Sequence, residues 1–180
     1  MRHCRQSRMK SMSLSALIPV QEYLGLSDKP AHEYRDGVLS SKAMPTKLHA
    51  LIQYLLIDAL RKKGVEALGE LTVKLSEHKY LVPDVVAAAH LESPYPVEPV
   101  LLCCEILSPE VFFGEDRLGS TLAKCEEYHA WGVPYCWVLD PVKQAAWEYH
   151  AGGEPIRVAA DGSLRAGELW LSVAELFSAS

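Results

Sequence analysis

The sequence predicts an α/β fold in which helices flank a mixed central sheet. Three observations point there. Residues 47–62 carry an apolar stripe at helical spacing (Leu48, Leu51, Ile52, Leu55, Leu56, Ala59, Leu60). Residues 80–88 and 100–107 are near-continuous apolar runs of strand length, the pattern of strands covered on both faces. Residues 120–131 form a second helical segment with Leu122, Cys125 and His129 on one face and Gly132 at its end.

The elements follow in order. A short helix is expected within residues 14–26, begun or interrupted near Pro19. Asp36-Gly37 between strand-like flanks marks a hairpin. Thr46 caps the long helix, which stops at Lys62-Lys63-Gly64. Residues 65–68 and 71–75 alternate as strands, and a proline-rich connection over residues 93–99 leaves no room for a crossover helix. Strands at 134–140, 144–149 and 156–159 and a closing helix at 172–177 complete the chain.

Composition sets the class. At 180 residues, 49% hydrophobic and 23% charged, the chain can bury one good core. Residues 14–180 are expected to form a single domain, and residues 1–13 a disordered basic tail or a stretch upstream of a start at Met12. No apolar run approaches the roughly 18 residues needed to span a bilayer, and the N-terminus lacks the apolar stretch of a signal peptide. A soluble, cytoplasmic protein without a membrane partner is expected. The five cysteines show no metal-type pair spacing and read as reduced core fillers. The net charge of -5, despite Arg2, Arg5, Arg8 and Lys10 at the start, argues against tight, non-specific DNA binding.

Two carboxylates interrupt the apolar runs: Asp84 in Val82-Pro83-Asp84-Val85-Val86, and Glu105 in Cys103-Cys104-Glu105-Ile106-Leu107. An ionised carboxylate buried without a partner is costly, so either both sit at a solvent-facing sheet end or a cation compensates them. If their strands are neighbours, the two can share one hard cation. Mg²⁺ takes one or two carboxylates and fills its shell with water and phosphate oxygens, which suits phosphodiester cleavage. Lys124 is the candidate for a nearby stabilising charge, as the one basic residue of residues 120–131, a turn before Tyr128. Bland readings stand beside these. Asp84 could cap a strand end, Glu105 could pair with an arginine, Glu33 could pair across its hairpin, His49 could be a satisfied core histidine, and Tyr128 and Trp131 read as packing residues.

Val82-Pro83-Asp84, Glu105-Ile106-Leu107-Ser108-Pro109, Lys124-Cys125-Glu126-Glu127-Tyr128 and Gly132-Val133-Pro134-Tyr135-Cys136-Trp137-Val138-Leu139-Asp140-Pro141 together resemble the Uma-two family of restriction endonucleases, within the PD-(D/E)XK nuclease superfamily. The resemblance runs from about Leu14 to Phe177 and includes Glu33-Tyr34-Arg35-Asp36-Gly37, Pro45 and His49. It implies a restriction-endonuclease-like α/β fold and DNA cleavage with Mg²⁺, for which Mn²⁺ can substitute, and no organic cofactor. It makes Asp84 and Glu105 the metal-holding acids, with the Ile106 carbonyl a further ligand. Leu107 stands where the superfamily has its lysine, and the resemblance passes that role to Lys124. His49 and Glu33 complete the rim. Many members place an acid a turn before that lysine; here Ser120 stands there and Asp116 lies further upstream.

DNA is the implied partner, and a homodimer is expected from the need to cut both strands and from partial exposure of Trp147, Tyr149 or Trp170. Lys124→Ala is expected to leave folding nearly unchanged. The competing readings are a catalytically degenerate module of the same fold that binds DNA or protein, and a different phosphodiesterase or RNA-directed nuclease using the same metal pair.

Overall fold

The computed structural model describes residues 17–26, 32–42, 44–108 and 117–178. The basic N-terminal tail and Asp116 lie outside the described residues. Pro19 N-caps α1 (Val20–Leu24) with its φ of -63°, the value its ring imposes. Asp36 and Gly37, at φ 50° and 91°, turn β1 (His32–Arg35) back on β2 (Val38–Ser41). Positive φ at both central residues is what a two-residue hairpin requires. α2 (Lys47–Lys62) begins where the Thr46 hydroxyl accepts the His49 N–H, and it buries His49, Ile52, Leu56 and Leu60. β3 (Glu66–Gly69) and β4 (Val73–Ser76) follow.

The apolar run at residues 80–88 is two strands rather than one. β5 (Lys79–Leu81) and β6 (Val85–Ala88) belong to different sheets. Pro83 has no N–H to give a ladder, so pairing lapses there and the chain crosses from one sheet to the next. β7 (Leu102–Ile106) precedes α3 (Arg117–Trp131), which starts before the expected residue 120. Lys124 is therefore not the only basic residue of that helix. Gly132 closes it at φ 118°, where a Cβ would lie 2.8 Å from Pro99 Cγ.

β8 (Tyr135–Asp140), β9 (Ala145–His150) and β10 (Ile156–Val158) come next. A hairpin that the sequence reading did not include, β11 (Ser163–Ala166) with β12 (Leu169–Ser172), leads into α4 (Val173–Phe177), capped by Ser172. Its turn is Gly167-Glu168 with Gly167 at φ 61°, a glycine-first signal weaker than Asp-Gly but of the same kind.

The central sheet has six strands in the order β10-β9-β8-β7-β6-β3. It is mixed: β7 and β8 run parallel and the other neighbours antiparallel. A four-stranded antiparallel sheet, β2-β1-β5-β4, stands beside it. Alternation sends Val85, Ala87, Leu102, Cys104 and Ile106 against α2 and α4. The opposite face, with Val86, Cys103, Cys136 and Val138, packs on Cys125 and Tyr128 of α3. The central strands are thus covered twice, as their continuous apolar runs require. Cys103, Cys104, Cys125 and Cys136 are buried and free.

Trp170 is half-exposed with Lys63 Nζ 3.7 Å from its ring centroid, and Trp147 is partly buried. Of the three aromatics of which partial exposure was expected for one or another, Tyr149 is buried, its ring edge-on to His129. No helix among the described residues is long and apolar enough to cross a membrane.

Candidate active site

The site is built around the crossing from β5 to β6. A backbone leaving a ladder exposes polar groups that must find other partners, and here side chains supply them. The Val82 N–H donates to Glu33 Oε1 at 3.1 Å, and Lys124 Nζ donates to the Val82 carbonyl at 3.1 Å. The Asp84 carbonyl accepts from the Glu70 N–H at 3.2 Å and from Gln53 Nε2 at 2.8 Å.

Antiparallel pairing sets Val85 opposite Cys104. Asp84 directly precedes Val85 and Glu105 directly follows Cys104, so the two acids adjoin this pair on neighbouring strands, and the Ile106 N–H next to Glu105 reaches the Asp84 carboxylate. Asp84 is buried, with Oδ2 accepting the Ile106 N–H at 2.7 Å and Oδ1 accepting from Lys42 Nζ at 2.6 Å. Burial opposes its charge, but His49 and Lys42 outweigh burial and hold the carboxyl well below the usual carboxylate range. His49 Nε2 stands 3.6 Å from Asp84 Oδ1, an electrostatic neighbour rather than a hydrogen bond at that distance. That nitrogen is buried with no hydrogen-bond partner, whereas His49 Nδ1 lies 3.0 Å from Ser108 Oγ.

Glu105 faces α3. Its Oε1 accepts from Lys124 Nζ and from the Tyr128 hydroxyl, both at 2.8 Å. Burial pushes the Glu105 carboxyl up, the Asp84 charge adds to the rise, and Lys124 and Lys42 recover only part of it. Glu33 sits 2.6 Å from Lys124 and 2.9 Å from Arg35. Although burial works against it, Lys124, Arg35 and the Val82 N–H hold it below the ordinary value. Lys124 itself loses hydration, yet Glu105 and Glu33 more than compensate and keep it charged. Arg35 reaches on to Glu127 at 3.0 Å, where Lys79 also arrives at 3.0 Å.

Asp84, Glu105, Lys124, His49 and Glu33, all singled out from the sequence, converge on this crossing. The Ile106 contact in view is its N–H to Asp84. The residues also fit a metal ion. Two carboxylates present hard oxygen donors, and Glu105 lies where its own negative charge is disfavoured, which a divalent cation would relieve. Among the described residues no group of three or more His, Cys, Asp or Glu side chains has metal-binding geometry, so a cation here would complete its shell with water and substrate oxygens, as Mg²⁺ commonly does.

Lys42 is the site residue that sequence reasoning missed. It ends the polar stretch Ser40-Ser41-Lys42, and no spacing distinguishes it from any surface lysine. Tyr128 was expected only to pack; it is buried, and it also donates to Glu105. Ser108 and Gln53 are further additions, both tied to side chains or backbone of the site.

Residues 20–176 match the Uma2 family, described as "Putative restriction endonuclease". Among solved structures, the chain is similar to a putative nuclease belonging to DUF820 from Anabaena variabilis ATCC 29413, with 24% identity and a TM-score of 0.72 over 89% of this chain and 98% of that one. No curated protein matches it. The structural likeness establishes a restriction-endonuclease-like fold, and the match over residues 20–176 shows that this chain belongs to the Uma2 family.

Proposed function

We propose that the protein is a divalent-metal-dependent DNA endonuclease that hydrolyses phosphodiester bonds. The observation that carries this reading is that Asp84 and Glu105 directly adjoin the paired residues Val85 and Cys104 of neighbouring strands, with a lysine ammonium on each: Lys42 at 2.6 Å and Lys124 at 2.8 Å. Asp84 and Glu105, with the Ile106 carbonyl, would hold Mg²⁺ or Mn²⁺. The bound ion supplies Lewis acidity and an acidified water. Tyr128 and Lys124 orient Glu105, the Ile106 N–H orients Asp84, and Glu33 fixes Lys124. His49, braced by Ser108, turns its unpaired Nε2 toward Asp84 on the rim. The lysines place positive charge where the phosphorane-like charge develops as water adds to phosphorus and the sugar oxygen leaves.

DNA is the proposed substrate and the cytoplasm the proposed location. A homodimer would place one site on each strand, and half-exposed Trp170 with exposed Ile156 offers apolar surface for it; sedimentation giving only monomer at micromolar concentration would remove that element. The deciding experiment is cleavage of mixed DNA substrates with Mg²⁺ or Mn²⁺, wild type beside Asp84→Ala. Metal-dependent cutting by the wild type alone supports the reading. One observation favours a second reading, a degenerate module that binds DNA or protein without cutting: Lys42 and Lys124 already neutralise both acids. A metal titration separates the two, because a degenerate site takes up no ion.

A further inference from the structure

We infer that Lys42 is the lysine that contacts the scissile phosphate and that Lys124 is a positioning residue. The inference rests on the nuclease reading above and divides its positive charge between two roles.

An ammonium has three N–H donors and accepts nothing. On Lys124 all three are engaged, by Glu33 Oε1 at 2.6 Å, Glu105 Oε1 at 2.8 Å and the Val82 carbonyl at 3.1 Å. To reach a phosphate it would have to leave one of these groups buried and unpaired, a cost larger than an ordinary hydrogen bond returns. Lys124 therefore holds the crossing from β5 to β6 and aims Glu105.

Lys42 stands differently. Among the described residues its partner is Asp84 Oδ1 at 2.6 Å, so two of its donors are uncommitted. The two lysine side chains are equally accessible, 14% each, so donor count rather than exposure distinguishes them. Its charge also acts on Glu105, so the ammonium lies within the field of both acids. Asp84 Oδ2 is committed to the Ile106 N–H. Oδ1 is held by a side-chain ammonium rather than a strand amide and is the oxygen that can be released to a cation, with Lys42 sitting on it. On yielding that oxygen, Lys42 offers all three donors beside the carboxylate pair, where a phosphate must lie. The chain thereby dispenses with a lysine at position 107, whose leucine packs into the core beside α3. The replacement enters from the end of β2.

The test reads DNA binding and cleavage in parallel. Binding of a short fluorescent duplex is measured against salt with Ca²⁺, and cleavage with Mg²⁺, for wild type, Lys42→Ala, Lys42→Arg and Lys124→Met. Loss of one phosphate contact makes the slope of log K against log salt shallower by about 0.9. Lys42→Ala is expected to show that change and to cut about 10²-fold more slowly, Lys42→Arg to restore the slope, and Lys124→Met to keep the wild-type slope while melting at a lower temperature. Lys42→Ala carries the test even if Lys124→Met does not fold. A wild type that cuts DNA beside a Lys42→Ala protein with unchanged slope and rate overturns the Lys42 assignment and leaves the nuclease reading intact. A wild type that binds without cutting, with the slope still lost in Lys42→Ala, overturns the nuclease reading and keeps the phosphate contact. A wild type that neither binds nor cuts overturns both.

Discussion

Lys124 on α3 and Glu33 on β1 meet at 2.6 Å, and this contact joins the small sheet to the helix that covers the large one. Glu33 also holds the Val82 N–H and Lys124 the Val82 carbonyl. Glu33 and the lysine that holds Glu105 therefore serve as the missing ladder partners of a strand that has changed sheets.

Lys124→Met is expected to destabilise the protein by about 3–5 kcal/mol, because the ammonium shared by buried Glu33 and Glu105 is lost and their remaining partners only partly compensate the two charges. Chemical denaturation measures it directly, and an unchanged midpoint would show that the ammonium is dispensable to the fold. This reverses the expectation that folding is indifferent to Lys124, which aimed the ammonium at the carboxylate pair but gave it no part in holding the fold. Helical spacing places a lysine on a face; it does not say that the face is met by two carboxylates from other elements.

Asp84 and Glu105 should respond to acid in opposite ways. The folded-state carboxyl of Asp84 is held down, so it contributes stability above its ordinary range that is lost as pH falls through its lowered value. Glu105 is raised; its contribution is present below the ordinary range and is lost as pH rises through its raised value. Glu105→Gln is thus expected to melt higher than wild type at pH 7, with the gain shrinking toward pH 4, while Asp84→Asn melts lower at pH 7. Cleavage should fall by about 10² or more in both. Melting curves across pH check the signs, and a Glu105→Gln protein less stable than wild type at pH 7 would contradict the environment assigned to it.

Mn²⁺ is expected to raise the melting temperature, the gain growing with the logarithm of its concentration above Kd. At tenfold over its Kd an ion contributes about 1.4 kcal/mol, or roughly 3–5 °C for a chain of this size. Asp84→Asn should abolish the shift. Lys42→Ala should move the Mn²⁺ midpoint to lower concentration, since the ammonium and the ion compete for Asp84 Oδ1. A shift that persists in Asp84→Asn would place the ion elsewhere.

Ser108→Ala removes the partner that His49 Nδ1 has among the described residues and is expected to cost about 1 kcal/mol, with a several-fold loss of cleavage. The loss should appear mainly in kcat and not in DNA affinity. A variant indistinguishable from wild type in both stability and rate would make the pair incidental.

Local chemistry was legible in the sequence where a residue acts on its own backbone. Thr46 caps α2, Asp36-Gly37 turns β1 into β2, and Gly132 ends α3 as their residue types require. Asp84 and Glu105 stood out because each is a charge inside an apolar run. The division at Val82-Pro83-Asp84 did not, since both halves are equally apolar and only tertiary pairing assigns them to different sheets. Lys42 was invisible for a related reason: its meaning comes from the carboxylate it reaches, on an element distant in sequence. The hairpin β11–β12 carried a legible glycine-first turn that was passed over.

The Val82 crossing makes assembly of the reactive groups a reporter of chain maturation. A nascent or partly opened chain in which the small sheet has not docked lacks Glu33 at Val82 and leaves Lys124 without one of its anchors. Such a species lacks one brace of the lysine that holds Glu105, so completion of the candidate site and completion of folding arrive together. For a protein proposed to cut DNA, this linkage is a safeguard against stray cutting by half-formed copies, and the exchange rate of the Val82 amide proton would record it.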